Sequence, residues 1–224
     1  TTEKTAIDPT NRYLARGPRF RMPSWMIRDQ ALAAGGLLVN KLGGPPVKPY
    51  QPAGLWAEFS FGKLNYEPDN GEALYRRSLY TYWRRIVAPP MFFDASSRQT
   101  CSVKATRTNT PLHALATLND PTYVEAARTL AGQLLTTADV SDRDRIDQAF
   151  RVCLARSAQA EELDLLEKSL ERMRQEFRDD PEGAVAYLAV GASTPLPGLD
   201  TADYAAYANL CLSILNTDEA LTKE

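Results

Sequence analysis

Asp120-Pro121-Thr122-Tyr123-Val124-Glu125-Ala126-Ala127-Arg128-Thr129-Leu130-Ala131-Gly132-Gln133-Leu134-Leu135 is the stretch on which the fold turns. Asp120 offers a side-chain acceptor to the first orphan N–H groups of a helix. Pro121 suits the first helical position, where a missing N–H costs nothing. Val124, Ala127, Leu130 and Leu134 then recur at three- and four-residue spacing, which predicts a helix burying that stripe.

The same pattern continues toward the C-terminus. Ser141 with Asp144 reads as a weak capping box before Ile146, Phe150 and Leu154, with Ala149 and Cys153 beside them. From about Gln159 a longer helix carries Leu163, Leu166, Leu170, Met173 and Phe177 inside a solvated Glu, Lys and Arg face. Asp180-Pro181 restarts a helix that ends at Gly191. Asp200 with Asp203 opens a last one bearing Tyr204, Tyr207, Leu210, Cys211, Ile214 and Leu215, and Gly191 to Gly198 is the loop between them. On the N-terminal side, Thr110 and Pro111 begin a short helix with His113 in its first turn. Helix lengths and patterns differ, so no internal repeat is present.

Composition changes near residue 110. Eleven of the 15 prolines, all three tryptophans and 14 of the 20 aromatic residues lie at or before Pro111. This half predicts turns and short strands around one helix, Ser24 to Ala34, with Trp25 or Met26, Ile27 and Leu32 as its apolar stripe and Gly35-Gly36 as its stop. Pro46, Pro49 and Pro52 fall every third residue, a polyproline II spacing. It is read as a stiff segment laid along the protein's own aromatic surface; a ligand for an aromatic-lined groove is the alternative. Tyr75 to Arg85 is rich in β-formers and reads as a strand, with Arg77, Leu79, Thr81, Trp83 and Arg85 on one face and Arg76, Ser78, Tyr80, Tyr82 and Arg84 on the other. A helix is the other reading of so short a run. The expected fold is thus mainly α: a bundle-like half, residues 110–224, and an irregular aromatic- and proline-rich half, residues 1–109, containing a short β element. The two are expected to form one continuous domain.

Several functions are disfavoured by what the chain lacks. Its longest apolar run, Ala31 to Val39, is about half of the ~20 residues a bilayer helix needs. Cys101, Cys153 and Cys211 are far apart with no Cys-x-x-Cys pair, so neither covalent haem attachment nor a zinc knuckle can be written, and no metal site is expected. One disulfide is compatible with three cysteines, but spacing does not choose the pair. His113, the sole histidine, reads as a polar residue of a helix start rather than a catalytic base. No phosphate-cradling glycine loop, metalloprotease helix or nucleophile elbow occurs.

Net charge of −2 hides an asymmetry: residues 1–112 carry 16 basic and 8 acidic side chains, a balance of +8, and residues 113–224 carry 10 and 20, a balance of −10. The halves are expected to attract. With a pI near 5.6 and no lysine-rich run, nucleic acid is not the expected partner. Asp29 and Asp94 each lie near an arginine (Arg28, Arg98) among aromatics and read as ion-pair members, with an acid–base role as the alternative. The density of Arg with Trp and Tyr at residues 75–85, continued by Arg107-Thr108-Asn109, suits an anionic polysaccharide, since rings bind the C–H faces of sugars and guanidinium forks bind acids. The competing use of those arginines is pairing with the acidic second half. The candidate ligand residues are Arg77, Trp83, Arg85, Arg107, Asn109, Asp29 and Asp94.

Ordered motifs carry a resemblance. Asn11-Arg12-Tyr13-Leu14-Ala15-Arg16, Ile27-Arg28-Asp29, Gly44-Pro45-Pro46-Val47-Lys48-Pro49-Tyr50-Gln51-Pro52, Tyr75-Arg76-Arg77-Ser78-Leu79-Tyr80, and Arg107-Thr108-Asn109-Thr110-Pro111-Leu112 with Leu118-Asn119-Asp120-Pro121 resemble the serial motifs of the planctomycete PSD-one domain, a domain of unknown function. The tail from Leu215 to Glu224 is similar to that family's usual C-terminus. The resemblance implies the C-terminal region of an exported multidomain protein, extracytoplasmic, with upstream domains as partners and haem c, where present, in an upstream cytochrome-like domain. No cofactor is implied on this chain, whose start at Thr1 is expected to reflect excision or processing. The family often has Gln where this chain has His113, and it supplies no established catalytic residue.

The function expected on these grounds is that of a non-catalytic binding or interdomain module. The alternative is an enzyme or enzyme half acting on extracellular polysaccharide, redox-linked to a haem c domain outside this chain. A third expectation is self-association through an apolar patch exposed by loss of a partner domain.

Overall fold

In the computed structural model, which describes residues 2–17, 19–84, 87, 89–95, 101, 103 and 109–223, the helix expected after Asp120 spans Pro121–Leu135. The Asp120 side chain accepts from the Thr122 N–H at 2.9 Å. Val124, Ala127, Leu130 and Leu134 are buried as expected, but so are Tyr123, Ala126, Ala131 and Gly132 on other sides. A helix covered all round lies at the centre of its domain.

The described helices, in chain order, are α1 (Thr2–Ile7), α2 (Ser24–Ala34), α3 (Leu55–Phe59), α4 (Pro111–Asn119), α5 (Pro121–Leu135), α6 (Asp142–Leu154), α7 (Ala160–Asp179), α8 (Pro181–Leu188), α9 (Thr201–Leu215) and α10 (Asp218–Leu221). Helix α9 is the second central element, buried from Tyr204 to Leu215 on nearly every side. It packs along α5, with α7 and α8 against it; α6 and α2 close on α5. Gly132 permits the α5–α9 approach, since a Cβ there would stand 2.8 Å from the Tyr204 hydroxyl and the Leu196 side chain. Helix α7 keeps only one face inside, around Leu170 and Met173. Three caps follow the sequence, Ser141 accepting from Asp144, Asp180 from Gly183 and Asp200 from Asp203; Thr110, expected to cap α4, makes no side-chain cap bond, and Glu162 accepts from the Gln159 N–H at 2.7 Å at the start of α7.

The proline-rich segment lies against the protein's own aromatic residues. Val47 N–H donates to the Tyr80 carbonyl at 2.8 Å and the Val47 carbonyl accepts from Tyr82 N–H at 2.7 Å. The Tyr66 hydroxyl donates to the Pro49 carbonyl, and Trp56 stacks on Tyr66 and Tyr82.

The expected strand over residues 75–85 does not form across its described part, residues 75–84. Gly71–Tyr75 and Ser78–Tyr80 are 3₁₀ turns, joined to other segments by single bridges at Arg76, Thr81 and Arg84. Its polar backbone groups are engaged elsewhere: Arg28 takes the carbonyls of Leu74 and Arg76, and Asp29 takes the Ser78 N–H. An alternation of burial survives without a strand, Arg76 and Ser78 in, Arg77 and Leu79 out. The short β element is instead an antiparallel pair, β1 (Phe20–Arg21) with β2 (Thr222–Lys223), register Phe20 to Lys223.

The charge asymmetry is not resolved by pairing one half with the other throughout. Arg19 does reach Asp218 at 2.6 Å. Arg143, Arg156 and Arg174, however, pair with acids of their own half, and Arg28 and Arg76 hold backbone carbonyls.

Candidate functional site: a cleft between α2 and residues 77–83

Asp94 accepts from both the backbone N–H (3.1 Å) and the hydroxyl of Ser24, and so caps α2 from 70 positions away. This fixes the first turn with Trp25 and Met26 pointing outward, 41% and 40% exposed. One turn on, Arg28 points inward and is fully buried, while Asp29 stays at the rim. Arg28 donates to Leu74 O at 2.7 Å, Arg76 O at 3.0 Å and Ser78 Oγ at 3.2 Å, docking residues 74–78 onto the helix. Burial pulls its guanidinium pKa down, partly offset by Asp29 beside it.

Residues 77–83 then form the facing wall. The space between is an open cleft of about 600 Å³ lined by Trp25, Met26, Asp29, Arg77, Ser78, Leu79, Thr81, Trp83, Phe92 and Ala95. Trp83 is half-buried, its ring 5.7 Å from that of Phe92. The Asp29 carboxylate accepts the Ser78 N–H at 2.8 Å, and its other oxygen lies 3.8 Å from Arg77 Nε.

The arginines of this region separate by role. Arg76 is buried, its guanidinium donating to the carbonyls of Lys41, Gly43 and Pro45 and lying 3.9 Å over the Tyr80 ring. That is a clamp on the proline-rich segment rather than a ligand contact. Arg77 is the one that reaches the cleft among the described residues, with 47% of its side chain exposed. The structure therefore brings Asp29, Arg77 and Trp83 together. Asp94 is engaged as a cap, and Asn109 is exposed and outside the cleft wall. Arg85, Arg98 and Arg107 lie outside the described residues. Trp25, Met26, Leu79 and Phe92 were not anticipated as lining; the four-residue spacing of Trp25 and Asp29 on one helix was the available signal.

A second polar constellation lies inside the protein. Glu125, fully buried on α5, accepts from the hydroxyls of Tyr50 (3.0 Å) and Tyr75 (2.8 Å) and the N–H of Ser193 (2.6 Å), with Arg128 at 3.7 Å. Arg128 in turn donates to the carbonyl and hydroxyl of Ser193 at 2.7 Å. Desolvation, reinforced by the Glu125 carboxylate, pushes the Tyr50 and Tyr75 hydroxyls above their ordinary range. With its carboxylate and guanidinium both shielded from solvent, this group is structural.

Other chemistry-bearing side chains are accounted for. His113 is half-buried and stacks on Phe93, ring centroids 4.2 Å apart. Cys153 and Cys211 are buried free thiols, and Cys101 is exposed. Among the described residues no cluster of His, Cys, Asp and Glu has the makings of a metal site. No described helix is long and apolar enough to cross a membrane.

A family model described as PSD1, protein of unknown function (DUF1553), matches residues 1–170. The chain belongs to the PSD1 family. The PSD1 match contains every described residue of the cleft and all of α5 and α6, and ends within α7. Helices α8 and α9 and the tail that resembles the family's C-terminus lie beyond it. No curated protein and no solved structure matches the chain.

Proposed function

We propose that this PSD1 chain is a non-catalytic binding module whose cleft holds a segment of anionic polysaccharide. Residues 1–109 and 110–224 act as one unit, within an extracytoplasmic multidomain protein whose upstream domains are its partners and carry any haem c. One observation supports the binding reading above others: two tryptophans and a half-exposed arginine face the same open cleft. Indole faces pack on the C–H faces of sugars, and a guanidinium fork meets an acid group. The absence of catalysis draws support from the carboxylates, since Asp94 is occupied in capping and Asp29 in holding the Ser78 N–H.

A glycan array of sulfated, uronic-acid and neutral polysaccharides tests this, with Trp25→Ala and Arg77→Ala variants alongside. Both positions are exposed enough that folding should survive. Binding reduced at least tenfold in each variant is the expected result. A blank array with folded protein would overturn the ligand reading and leave the interdomain role.

A further inference from the structure

The cleft carries less charge than the surrounding sequence suggests. Among its described lining residues the charged side chains are one cation and one anion, Arg77 and Asp29, 3.8 Å apart. Resting on the cleft reading above, we infer that Asp29 selects the ligand: the site takes uronate units bearing free hydroxyls and discriminates against sulfate esters.

The balance of hydrogen-bond donors and acceptors decides the selectivity. An ionised carboxylate only accepts hydrogen bonds, and Asp29 has one oxygen committed to Ser78 N–H while the other faces Arg77 Nε. Arg77 reaches Asp29 through Nε, and among the described residues no hydrogen bond engages its terminal nitrogens. That edge is therefore presented to a ligand acid, in the planar geometry that matches a carboxylate bidentately. A ligand anion seated there lies close to Asp29, and like charges at such range repel unless a proton donor stands between them. A uronate supplies that donor, because the ring that bears its single carboxylate also carries free hydroxyls, at C2 and C3 in a 1,4-linked chain, that can donate to Asp29. A sulfate ester replaces a hydroxyl donor with further acceptor oxygens and adds charge, for which the cleft offers no second cation among its described residues. Sites built to bind a hydroxyl discriminate strongly against analogues lacking it. The apolar surfaces of Trp25 and Trp83 serve either sugar equally, so selectivity falls to the Asp29–Arg77 pair.

The test uses the full chain with polygalacturonate, its 2,3-O-acetylated form, κ-carrageenan and neutral dextran, compared by titration calorimetry at one ionic strength. Wild type should bind polygalacturonate at least tenfold tighter than carrageenan, and acetylation, which removes hydroxyl donors but keeps the carboxylate, should cost at least tenfold. Asp29→Asn should narrow the uronate-to-sulfate ratio to under threefold, and Arg77→Gln should weaken both. Because Asp29 also neighbours buried Arg28, the acetylated polymer reads the same point on the wild-type chain, with no substitution to perturb folding. Wild-type affinities that are equal for the two polymers, or unmoved by acetylation, would overturn this inference while leaving the cleft reading standing. Absence of wild-type binding to every polymer would overturn both.

Discussion

The Tyr50 hydroxyl donates to Glu125 across 3.0 Å although 75 positions separate the two residues. Tyr75 meets the other oxygen of the same carboxylate, and Ser193 closes on it from the loop before α9. One side chain thereby joins the proline-rich segment, the first 3₁₀ turn, the central helix and the C-terminal loop.

Removing that side chain should be severe. Glu125→Ala leaves the buried Arg128 without its counter-charge and orphans two hydroxyls and an N–H, a loss of about 3 to 5 kcal/mol. Tyr75→Phe, which deletes one hydrogen bond to a charged group, should cost about 1.5 to 3 kcal/mol. Urea denaturation followed by circular dichroism measures both; a Glu125→Ala loss under about 1 kcal/mol would refute the role assigned to this carboxylate.

Gly191 should tolerate no side chain. Its φ of +94° is disfavoured for L residues, and a Cβ would land on the Glu125 carboxyl carbon. Gly191→Ala is expected to lower stability by about 2 kcal/mol or more, and a neutral thermal melt would contradict the packing described.

Asp94→Ala removes the long-range cap of α2 and should cost about 0.5 to 2 kcal/mol. Because α2 presents Trp25 and Asp29, the same variant should weaken polysaccharide binding without any lining residue having changed. Chemical denaturation paired with calorimetry separates the two effects; unchanged stability would mean that the Ser24 contacts are not capping.

Acid should loosen the C-terminal half. Arg156 holds Glu162 down to about 2, against an ordinary 4.5, and lowers Glu219 as well. Asp142 is lowered in the same direction by its hydrogen bonds to Arg174. A carboxylate depressed in the folded state adds stability that is complete above its unfolded value and lost as pH falls through the folded one. Stability should therefore decline from about pH 4.5 to about pH 2, following the Glu162 values. Arg156→Gln should flatten that decline. A variant with the wild-type slope in this window would show that the pairs contribute nothing measurable.

The thiols should divide by accessibility. Burial pushes Cys153 up to about 12 and raises Cys211 further from reactivity, whereas Cys101 is exposed. A thiol reagent at neutral pH is expected to label Cys101 alone in folded protein and all three cysteines in denaturant. Rapid native labelling at Cys153 or Cys211 would contradict their burial.

What was legible in the sequence was local. Helix α2 begins and ends where Ser24 and Gly35 predicted, because its stop is encoded beside it. The start of α5 was readable because its cap is adjacent. Residues 75–85 misled because β-formers describe a preference that Arg28 overrides by binding two backbone carbonyls, 46 and 48 positions away, and the Ser78 hydroxyl. Glu125 and Arg128 carried no sequence signal beyond their place between the apolar positions Val124 and Leu130, and the tyrosines that satisfy Glu125 are remote in sequence. Of the cleft's lining, Asp29, Arg77 and Trp83 were singled out by the mixture of Arg and aromatics. Which arginine faced outward was not, since that depends on Arg76 folding back onto the proline segment.

The pairing of Phe20 with Lys223 also sets how the molecule would answer a pull. Because β1 and β2 are antiparallel and meet at that register, force applied before residue 20 and after residue 223 acts at one end of the pair. The contacts there, including Arg19 with Asp218 and the Met22 N–H on the Leu221 carbonyl, would open in succession as the teeth of a zipper do. Load would thus be released at this clasp before it reached α5 and α9, making the small sheet a mechanical fuse for the helical core.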